Sequence, residues 1–400
     1  MGWQVPDGRK KVNEMRGKRL NVGIVGLGAV AQAVYLPLLQ RRHDLFRIAG
    51  VTDLAPEVAT AVASRYGLEE RLIFPDSERM LEDAKLDAVI LLNSGSHAST
   101  IMEAALAGCA VLCEKPLAYT HGETREVSQA LAQGSSPFQL GYMKLYDPAY
   151  RRLAASDLPG ELRSVDVTVL HPSAQSQLAH ANLIATKGLP AARAEELRAA
   201  TLGLCHAALG DAAPDEICRL YTDVIMGSIV HDLSLIRPVA GNPVAIQFAD
   251  MWPRGVFPPS LRVVGLLPED VRFTISWHYL PDYPAYREEV SFHCSRGSAS
   301  LVFPAPYLLN APTTYNAVSL DGTAETVLTA RSTVEAFEAQ LAAFHALATE
   351  GVAPAAGVPE ADADITTCQM IAARLMEGSG IAIGGEAAHV SPAGIAALPA

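Results

Sequence analysis

The chain has 400 residues, of which 50% are hydrophobic, and a formal net charge of −12 from 31 Lys+Arg against 43 Asp+Glu. This length and hydrophobic content predict two domains, each with a sizeable core. The acidic balance excludes the basic surfaces that bind nucleic acids or anionic membranes, and no apolar run approaches the roughly 18 residues that a membrane span needs. We therefore expect a cytoplasmic protein whose partner is a small molecule.

The first strong pattern is a buried strand followed by a glycine-rich turn. LNVGIV at 20–25 reads as the strand, and GLGAVA leads from it into an apolar helical stretch. Gly26 and Gly28 allow a tight turn that brings backbone N–H groups close to a pyrophosphate. Ala29 and Val30 begin the helix, whose N-terminus would face the phosphates with its partial positive charge. The pattern predicts a dinucleotide-binding site.

The second strand, FRIAGVTD, ends in Asp53. Its carboxylate can accept hydrogen bonds from the adenosine ribose hydroxyls, and it would repel a 2′-phosphate. No Ser-Arg pair follows to hold that extra phosphate, because Leu54 and Ala55 come next. The pattern favours NAD over NADP, while a helix N-cap is the alternative interpretation of Asp53.

Helices and strands continue to alternate up to about residue 147. Helices are predicted at 56–66, 77–84 and 121–133, and strands at RLIF, LDAVILLN, AVLCEKP and FQLGYMKL. This alternation indicates a doubly wound parallel sheet, which places the ends of VILLN and VLCEKP at the edge where ligands bind.

The second half carries strand-like runs without helices between most of them. They lie at 162–170, 244–252, 261–265, 271–279, 287–294 and 298–303. Parallel pairing would require crossover helices, so these runs predict a mostly antiparallel sheet. A helical insertion at about 174–220 interrupts the series, and a lid over the cleft and a dimer arm are both open interpretations of it.

These elements together resemble the Gfo/Idh/MocA family of sugar and cyclitol oxidoreductases. The motifs occur in family order at family spacing: GLGAVAQAVYLPLL, the loop ending in His97, EKPLA at 114–118, GYMKLYDPAY at 141–150 and SIVHDLSLIR at 228–237. The resemblance implies an N-terminal Rossmann domain and a C-terminal α+β domain on a large open sheet. Family members often use that sheet for oligomer contacts, so a homodimer or homotetramer is expected.

We accordingly predict an α/β protein with four segments. A flexible, polar arm at 1–19 precedes a Rossmann domain at 20–147. A substrate and oligomerisation domain at 148–378 follows, and the resemblance implies that its last helices pack back on the Rossmann domain. The segment 379–400 is rich in Gly, Ala and Pro, and we expect a flexible tail there.

Lys115 is the predicted acid–base residue. Moving a hydride between a carbinol carbon and nicotinamide requires a proton to move at the oxygen, and a lysine of lowered pKa can carry that proton. The strand delivers Lys115 to the cofactor edge, and the family usually has a cis peptide at Pro116. Glu114 would anchor the loop or contact the nicotinamide ribose. A surface lysine that caps a helix is the alternative interpretation of Lys115.

His231 is the second catalytic candidate, as a residue that orients the substrate hydroxyl or relays its proton. A packed core histidine is the alternative. Many catalytic members carry an Asp four residues earlier, where this chain has Gly227, so the usual trio of Lys, Asp and His is incomplete. Asp223 is an unsupported candidate for a replacement acid. Lys144 could donate to substrate hydroxyls or be a solvated lysine.

The loop before the helix STIMEAALAG departs from the family pattern. It reads Asn93-Ser94-Gly95-Ser96-His97, where the family commonly has a Thr-Pro-Asn type stretch. The change alters the contacts on the nicotinamide side but keeps a loop that could make them. Asn93, Ser94 and His97 therefore stay among the cofactor-binding candidates.

No metal site is predicted. The six cysteines are scattered, and the closest pair, Cys109 and Cys113, has no second Cys/His pair nearby. We expect reduced thiols, as is usual in a cytosol. His171, His180 and His206 lie in or beside the insertion and are too far apart in sequence to read as a ligand set.

Three functions remain open. The leading hypothesis is an NAD-dependent oxidoreductase that acts on a secondary hydroxyl, or the matching ketone, of a sugar, glycoside or cyclitol. A second is glycoside cleavage assisted by transient oxidation, without net NAD turnover. A third is a non-catalytic regulator that binds dinucleotide, which Gly227 favours and the intact EKP motif and His231 disfavour.

Overall fold

The computed structural model describes residues 17–185 and 188–390, and the chain forms two compact units. Unit 1 runs up to Tyr146 and includes Leu178–Thr201 and Ala336–Ala361. Unit 2 comprises Asp147–Gln177, Leu202–Glu335 and the described residues that follow Ala361. Among the described residues, no helix combines the length and the apolar character required to cross a bilayer.

Unit 1 is built on a five-stranded parallel sheet with the strand order β2-β1-β3-β4-β5. The strands are β1 (Leu20–Val25), β2 (Phe46–Thr52), β3 (Ala88–Leu91), β4 (Ala110–Glu114) and β5 (Phe138–Gly141). From β1 the chain turns to one side for β2 and to the other side for β3. Their carboxyl ends therefore form a topological switch point, where open α/β sheets bind ligands. The predicted Rossmann sheet is confirmed.

Helices connect these strands. A π-helical turn at Ala31–Tyr35 continues as α1 (Leu36–Arg41), followed by α2 (Pro56–Arg65), α3 (Ser77–Asp83), α4 (Ala98–Leu106) and α5 (His121–Gly134). Thr120 begins α5 with a capping box, because its side chain accepts from the backbone of Glu123 while Glu123 accepts from Thr120 N.

Two predicted strands of unit 1 differ from the structure. RLIF forms a 3-10 turn at Glu70–Leu72 and a single parallel bridge between Val51 and Ile73. FQLGYMKL leaves the sheet after Gly141 and forms a 3-10 turn at Met143–Tyr146. The first segment pairs through a single bridge, and the second turns away from the sheet, so neither extends it as predicted.

Unit 2 is built on an eight-stranded sheet with the order β13-β12-β11-β10-β6-β9-β8-β7. The strands are β6 (Leu162–His171), β7 (Ala245–Trp252), β8 (Ser260–Leu266), β9 (Arg272–Tyr279), β10 (Arg287–Cys294), β11 (Gly297–Phe303), β12 (Thr314–Asp321) and β13 (Ala324–Arg331). All neighbours pair antiparallel except β6 and β9. The predicted large, mostly antiparallel sheet is confirmed, and β12 and β13 are additions to it.

The next helices include those of the insertion and those on either side of it in the chain. They are α6 (Pro148–Ala155), α7 (Ala174–Leu178), α8 (Ala191–Leu209, which begins in unit 1), α9 (Asp215–Arg219) and α10 (Val230–Ala240). A π-helical segment at Leu220–Ile229 joins α9 directly to α10. The insertion is helical, and Leu178–Thr201 within it belongs to unit 1.

The last two long helices belong to different units. α11 (Ala336–Glu350) lies in unit 1, where Gln139 Nε2 donates to the Gln340 carbonyl at 3.1 Å. α12 (Val358–Gly378) lies in unit 2 from Asp362 onward. Unit 1 thus contains α11 and the start of α12, and the packing of the last helices on the Rossmann domain stays a prediction.

Hydrogen bonds hold the described residues near both chain ends. Most of the predicted arm lies outside the described residues, but Arg19 Nε donates to the Phe46 carbonyl at 3.0 Å. The predicted flexible tail is corrected over 379–390, where Gly384 N donates to the Leu209 carbonyl at 2.9 Å and Glu386–His389 forms a 3-10 turn. Backbone hydrogen bonds thus hold this stretch, and residues 391–400 lie outside the described residues.

The expectation of reduced thiols is also corrected. Cys205 on α8 and Cys218 on α9 form a disulfide, with their Cα atoms 5.6 Å apart. The two helices fold back on each other across a short connection, and this brings together two cysteines that the sequence separates. Cys109, Cys113, Cys294 and Cys368 are not in disulfides.

Candidate active site

The glycine-rich turn leaves one side of its backbone open. Gly26 has φ +88°, and a Cβ on it would lie 2.5 Å from Asn93 N, so this position requires glycine. A Cβ on Gly28 would meet no atom within 4 Å, and Gly28 is exposed. The Gly28 carbonyl accepts from Gln32 N at 3.0 Å, which starts the helix. Ala29 and Val30 lie between these two residues, so the turn fits a ligand that approaches the backbone closely.

Asp53 ties this turn to the end of β2. Its Oδ2 accepts from Leu27 N at 2.7 Å and its Oδ1 accepts from Ala55 N at 2.9 Å. Ala55 is the N-cap of α2, and this helix has no side-chain cap hydrogen bond, so the alternative interpretation of Asp53 as a helix N-cap is wrong. Each carboxylate oxygen can accept a second hydrogen bond, and Asp53 can therefore hold the turn and still accept from a ribose.

Gln32 is a site residue that the sequence motifs did not reveal. Its buried amide Nε2 donates to the Leu27 carbonyl at 2.7 Å and to the Ile184 carbonyl at 2.8 Å, while its Oε1 accepts from Ile184 N at 2.8 Å. Arg65 donates to the Asn182 carbonyl at 2.9 Å. We call residues 182–184 of the insertion the insertion strap. Gln32 links this strap to the glycine-rich turn, and Arg65 links it to the end of α2.

The loop after β3 lies against the EKP loop. His97 donates from its backbone N to the Leu117 carbonyl at 3.0 Å, and its Nδ1 lies 2.7 Å from the Pro116 carbonyl. A carbonyl can only accept, so Nδ1 carries the hydrogen. Burial lowers the pKa of His97 and favours the neutral ring.

This neutral ring leaves acceptor atoms for a ligand. Within the described residues, His97 Nε2 and Asn93 Oδ1 are buried without a hydrogen-bond partner, and Ser94 between them is exposed. Buried acceptors of this kind are rarely left unsatisfied in a functional state. They fit a bound group that carries N–H or O–H donors, such as a nicotinamide riboside.

The structure brings Lys115 and Lys144 together in unit 1. Lys115 follows β4, is half-buried, and precedes a cis peptide bond to Pro116, as the family resemblance implied. Burial lowers the pKa of Lys115 most, Glu114 opposes this, and the charge of Lys144 lowers it further. Lys144 lies on the 3-10 turn after β5 and is buried, so the interpretation as a solvated lysine is wrong.

Glu114 is held by partners that the sequence did not reveal. The Tyr35 hydroxyl donates to Glu114 Oε1 at 2.6 Å, and Gln340 Nε2 donates to the Tyr35 oxygen at 2.7 Å. Lys115 N donates to Glu114 Oε2 at 3.3 Å. Burial raises the pKa of Glu114, whereas the Tyr35 hydrogen bond and Lys115 lower it. Glu114 is thus an anchored carboxylate in the loop.

His231 lies on α10 in unit 2 and is half-buried. A Cβ on Gly227 would contact only the Thr222 carbonyl, at 3.4 Å, so the missing acid is not excluded by crowding. Asp223, the candidate replacement acid, is exposed and accepts from the Thr222 hydroxyl at 2.8 Å. Asp232, which follows His231 on α10, is buried.

Unit 2 also buries a polar and aromatic cluster that the motifs missed. The Tyr286 hydroxyl donates to Glu288 Oε2 at 2.5 Å, and burial, Glu288 and Asp232 raise the pKa of Tyr286. The His171 ring lies 5.6 Å from the Tyr286 ring and 5.1 Å from that of Trp277, between centroids. His171 is thus part of an aromatic group.

His180 is exposed and His206 is half-buried on α8. Over residues 17–185 and 188–390, no group of three or more His, Cys, Asp or Glu side chains could hold a metal ion. All the cofactor-binding candidates and both lysines belong to unit 1, and His231 belongs to unit 2.

Comparisons with known proteins agree with this geometry. Residues 20–142 match the model of the Gfo/Idh/MocA family, described as an oxidoreductase family with an NAD-binding Rossmann fold. An inositol 2-dehydrogenase from Burkholderia ambifaria is 34% identical over 136 residues, which are 34% of this chain and 40% of the relative. One from Pseudomonas fluorescens is 33% identical over 138 residues, with the same coverage of 34% and 40%. The chain thus matches less than half the length of these curated relatives.

Solved structures extend the similarity in fold to both units. An aldose-aldose oxidoreductase from Caulobacter crescentus has a TM-score of 0.67 at 18% identity, covering 90% of this chain and 98% of the other. A putative myo-inositol dehydrogenase from Sinorhizobium meliloti has a TM-score of 0.63 at 17% identity, with the same coverage. At these identities the likeness shows the fold alone.

Proposed function

We propose that the chain belongs to the Gfo/Idh/MocA oxidoreductase family, whose model matches residues 20–142, and that it is a dehydrogenase. It transfers a hydride between a nicotinamide dinucleotide and a secondary hydroxyl, or the matching ketone, of a polyol. The inositol 2-dehydrogenases that match the first domain favour a cyclitol, and sugars and glycosides are the related substrates. The observation that carries the proposal is Lys115, with its lowered pKa, at the carboxyl end of β4.

The cofactor residues would divide their tasks along unit 1. The open backbone at Gly26, Gly28, Ala29 and Val30 would hold the pyrophosphate, because N–H groups at a helix start bind anions. Asn93, Ser94 and His97 would hold the nicotinamide riboside, whose donors match the buried acceptors in this loop. When bound, the dinucleotide supplies or accepts the hydride.

NAD is the proposed dinucleotide, with NADP the weaker ligand. Asp53 has a carboxylate at the end of β2 that can accept from ribose hydroxyls and repel a 2′-phosphate. Leu54 follows it, so the turn offers no cation for that phosphate. This proposal rests on the charge of one side chain and is open to direct measurement.

Lys115 would transfer the proton of the substrate hydroxyl. In the oxidising direction, Lys115 in its neutral form takes the proton from the substrate hydroxyl, and in the reducing direction its ammonium returns it. Burial and the charge of Lys144 favour the neutral form of Lys115, so its pKa moves closer to the operating pH. Lys144 would donate to another substrate hydroxyl, and His231 would orient the substrate.

Assembly into a homodimer or homotetramer accompanies this proposal. Phe248 and Trp252 lie on β7 and are 49% and 36% exposed. Large exposed apolar side chains on a sheet are typical of protein contacts. Light scattering on the purified protein would give a monomer mass if this part is wrong.

An absorbance assay distinguishes the candidate functions. The protein is mixed with NAD and a panel of cyclitols, polyols and sugars that includes myo-inositol, and absorbance at 340 nm is followed. A steady rise with one compound supports a dehydrogenase. Cleavage of a glycoside without a rise would indicate redox-assisted elimination, and dinucleotide binding without turnover of any compound would indicate a regulator.

A further inference from the structure

A chain of buried hydrogen bonds leads from α11 to the predicted catalytic loop. Gln340 Nε2 donates to the Tyr35 oxygen at 2.7 Å, and Tyr35 donates to Glu114 Oε1 at 2.6 Å. Glu114 Oε2 accepts from Lys115 N at 3.3 Å. We propose that Tyr35 and Gln340 are positioning residues, which hold the Glu114 carboxylate in place beside Lys115.

The hydrogen-bond partners of Tyr35 determine where its hydroxyl hydrogen points. Gln340 and Tyr35 are buried, and the Tyr35 oxygen accepts from Gln340. A phenol has a single hydrogen, so it is directed to Glu114. A hydrogen bond to a carboxylate is stronger than a neutral one, and a buried carboxylate that lacks donors costs more than a satisfied one. Tyr35 therefore stabilises the charged form of Glu114.

The packing of Tyr35 separates this role from a merely structural one. Its ring packs edge-on against Phe337 with centroids 5.6 Å apart. Removing the hydroxyl alone keeps that ring contact, so Tyr35→Phe tests the hydrogen bond and leaves the apolar packing in place. The Gln139 bond to the Gln340 carbonyl uses the backbone and survives a change of the Gln340 side chain.

Several charged or titratable groups face this position. Glu114 favours the ammonium of Lys115, while burial and Lys144 on the next turn disfavour it. His97 interacts with Lys115 from the loop after β3, and its neutral ring adds no charge. Cys113 on the same strand has its pKa raised well above the ordinary value by burial and is a neutral thiol. Glu114 is thus the anion that Lys115 interacts with in this group.

Loss of the Tyr35 hydroxyl should consequently lower the pKa of Lys115. Without the Tyr35 hydrogen bond, Glu114 is no longer held in place beside Lys115, and the interaction that favours the Lys115 ammonium becomes weaker. Lys115 then becomes neutral at a lower pH than in the wild type.

A labelling experiment tests the inference without a substrate. The purified protein is trace-labelled with acetic anhydride over a range of pH, and acetylation of the Lys115 peptide is measured by mass spectrometry. In Tyr35→Phe the midpoint of the curve should move to lower pH, in the same direction as in Glu114→Gln. Gln340→Met should give a smaller move in that direction.

The double variant makes the test decisive. If Tyr35 acts through Glu114, Tyr35→Phe should have no further effect in the Glu114→Gln background. The control is Tyr150→Phe, which removes a buried hydroxyl that donates to the Leu235 carbonyl in unit 2, and it should leave the Lys115 midpoint unchanged. An unchanged midpoint in Tyr35→Phe, or a full additional move in the double variant, would overturn the inference.

The inference rests on the proposed role of Lys115, yet the two fail separately. If the wild-type protein turns over no compound while the midpoints move as described, the proposed function fails and the positioning role stands. If the protein is active but the rise of kcat/KM with pH does not move to lower pH in Tyr35→Phe, the positioning role fails while the proposed function stands.

Discussion

Removing the charge at Asp53 should abolish the preference for NAD. The variant Asp53→Asn keeps an amide oxygen near the backbone N–H groups of Leu27 and Ala55, which the carboxylate now binds at 2.7 and 2.9 Å. It loses the charge that would repel a 2′-phosphate and, because its NH2 group cannot accept, one of the two backbone hydrogen bonds. Asp53→Ser with Leu54→Arg goes further, since Leu54 is 54% exposed and an arginine there can reach an approaching phosphate.

The size of the effect follows from the setting of the carboxylate. Asp53 is half-buried. Two unit charges about 4 Å apart interact by about 1 kcal/mol in water and about 4 kcal/mol near a protein surface. A value at the lower end, about 1.4 kcal/mol, corresponds to a tenfold ratio of affinities. We therefore expect wild-type protein to bind NAD at least about ten times more tightly than NADP.

Calorimetric titration of each dinucleotide measures this ratio. Asp53→Asn should bring the two dissociation constants together, and the double variant should narrow or reverse the order. The serine variant also loses backbone hydrogen bonds, each worth about 1 kcal/mol, so its Tm serves as a check on folding. Equal affinities of the wild-type protein for NAD and NADP would refute the assignment of Asp53.

Three further predictions concern the other site residues. His231→Ala should raise KM and lower kcat less than Lys115→Ala does, because a positioning group acts mainly on binding; steady-state kinetics that show equal losses would reverse the roles. Gln32→Leu should weaken dinucleotide binding by calorimetry, since it frees the Leu27 carbonyl and the insertion strap, whereas Arg193→Ala on exposed α8 should not. In the oxidising direction kcat/KM should rise with pH as Lys115 loses its proton. Lys144→Met should move that limb to higher pH, because it removes a charge that lowers the pKa of Lys115, and an unmoved limb would contradict this coupling.

The elements with strong local patterns could be predicted from the sequence. β1 and the glycine turn combine an apolar run with residues that permit one backbone path, and β4 is an apolar run before EKP. The weak elements were missed for physical reasons. β13 (AETVLTAR) is exposed along nearly its whole length and alternates little, because it is an edge strand with no buried face.

The site could be predicted only where it is local. Glu114 ends a recognisable strand and Lys115 follows it. Tyr35, which donates to Glu114, and Gln340, which donates to Tyr35, are 305 residues apart in the chain. Tyr35 read as one more apolar residue of a helix, and a buried glutamine has no pattern that distinguishes it from a surface one. The Cys205–Cys218 disulfide likewise depends on how two helices fold back.

The central claim is that Lys115 moves the substrate proton in a dinucleotide-dependent oxidation. The most direct measurement is the rate of NADH formation at 340 nm by the wild-type protein and Lys115→Ala, on whichever compound of the polyol panel the wild type oxidises. Lys85→Ala, an exposed lysine of the same unit, is the matched control. We predict that Lys115→Ala loses roughly two to four orders of magnitude in kcat while its NAD affinity and the activity of Lys85→Ala stay close to wild type. Near-normal turnover by a folded Lys115→Ala variant would contradict the claim.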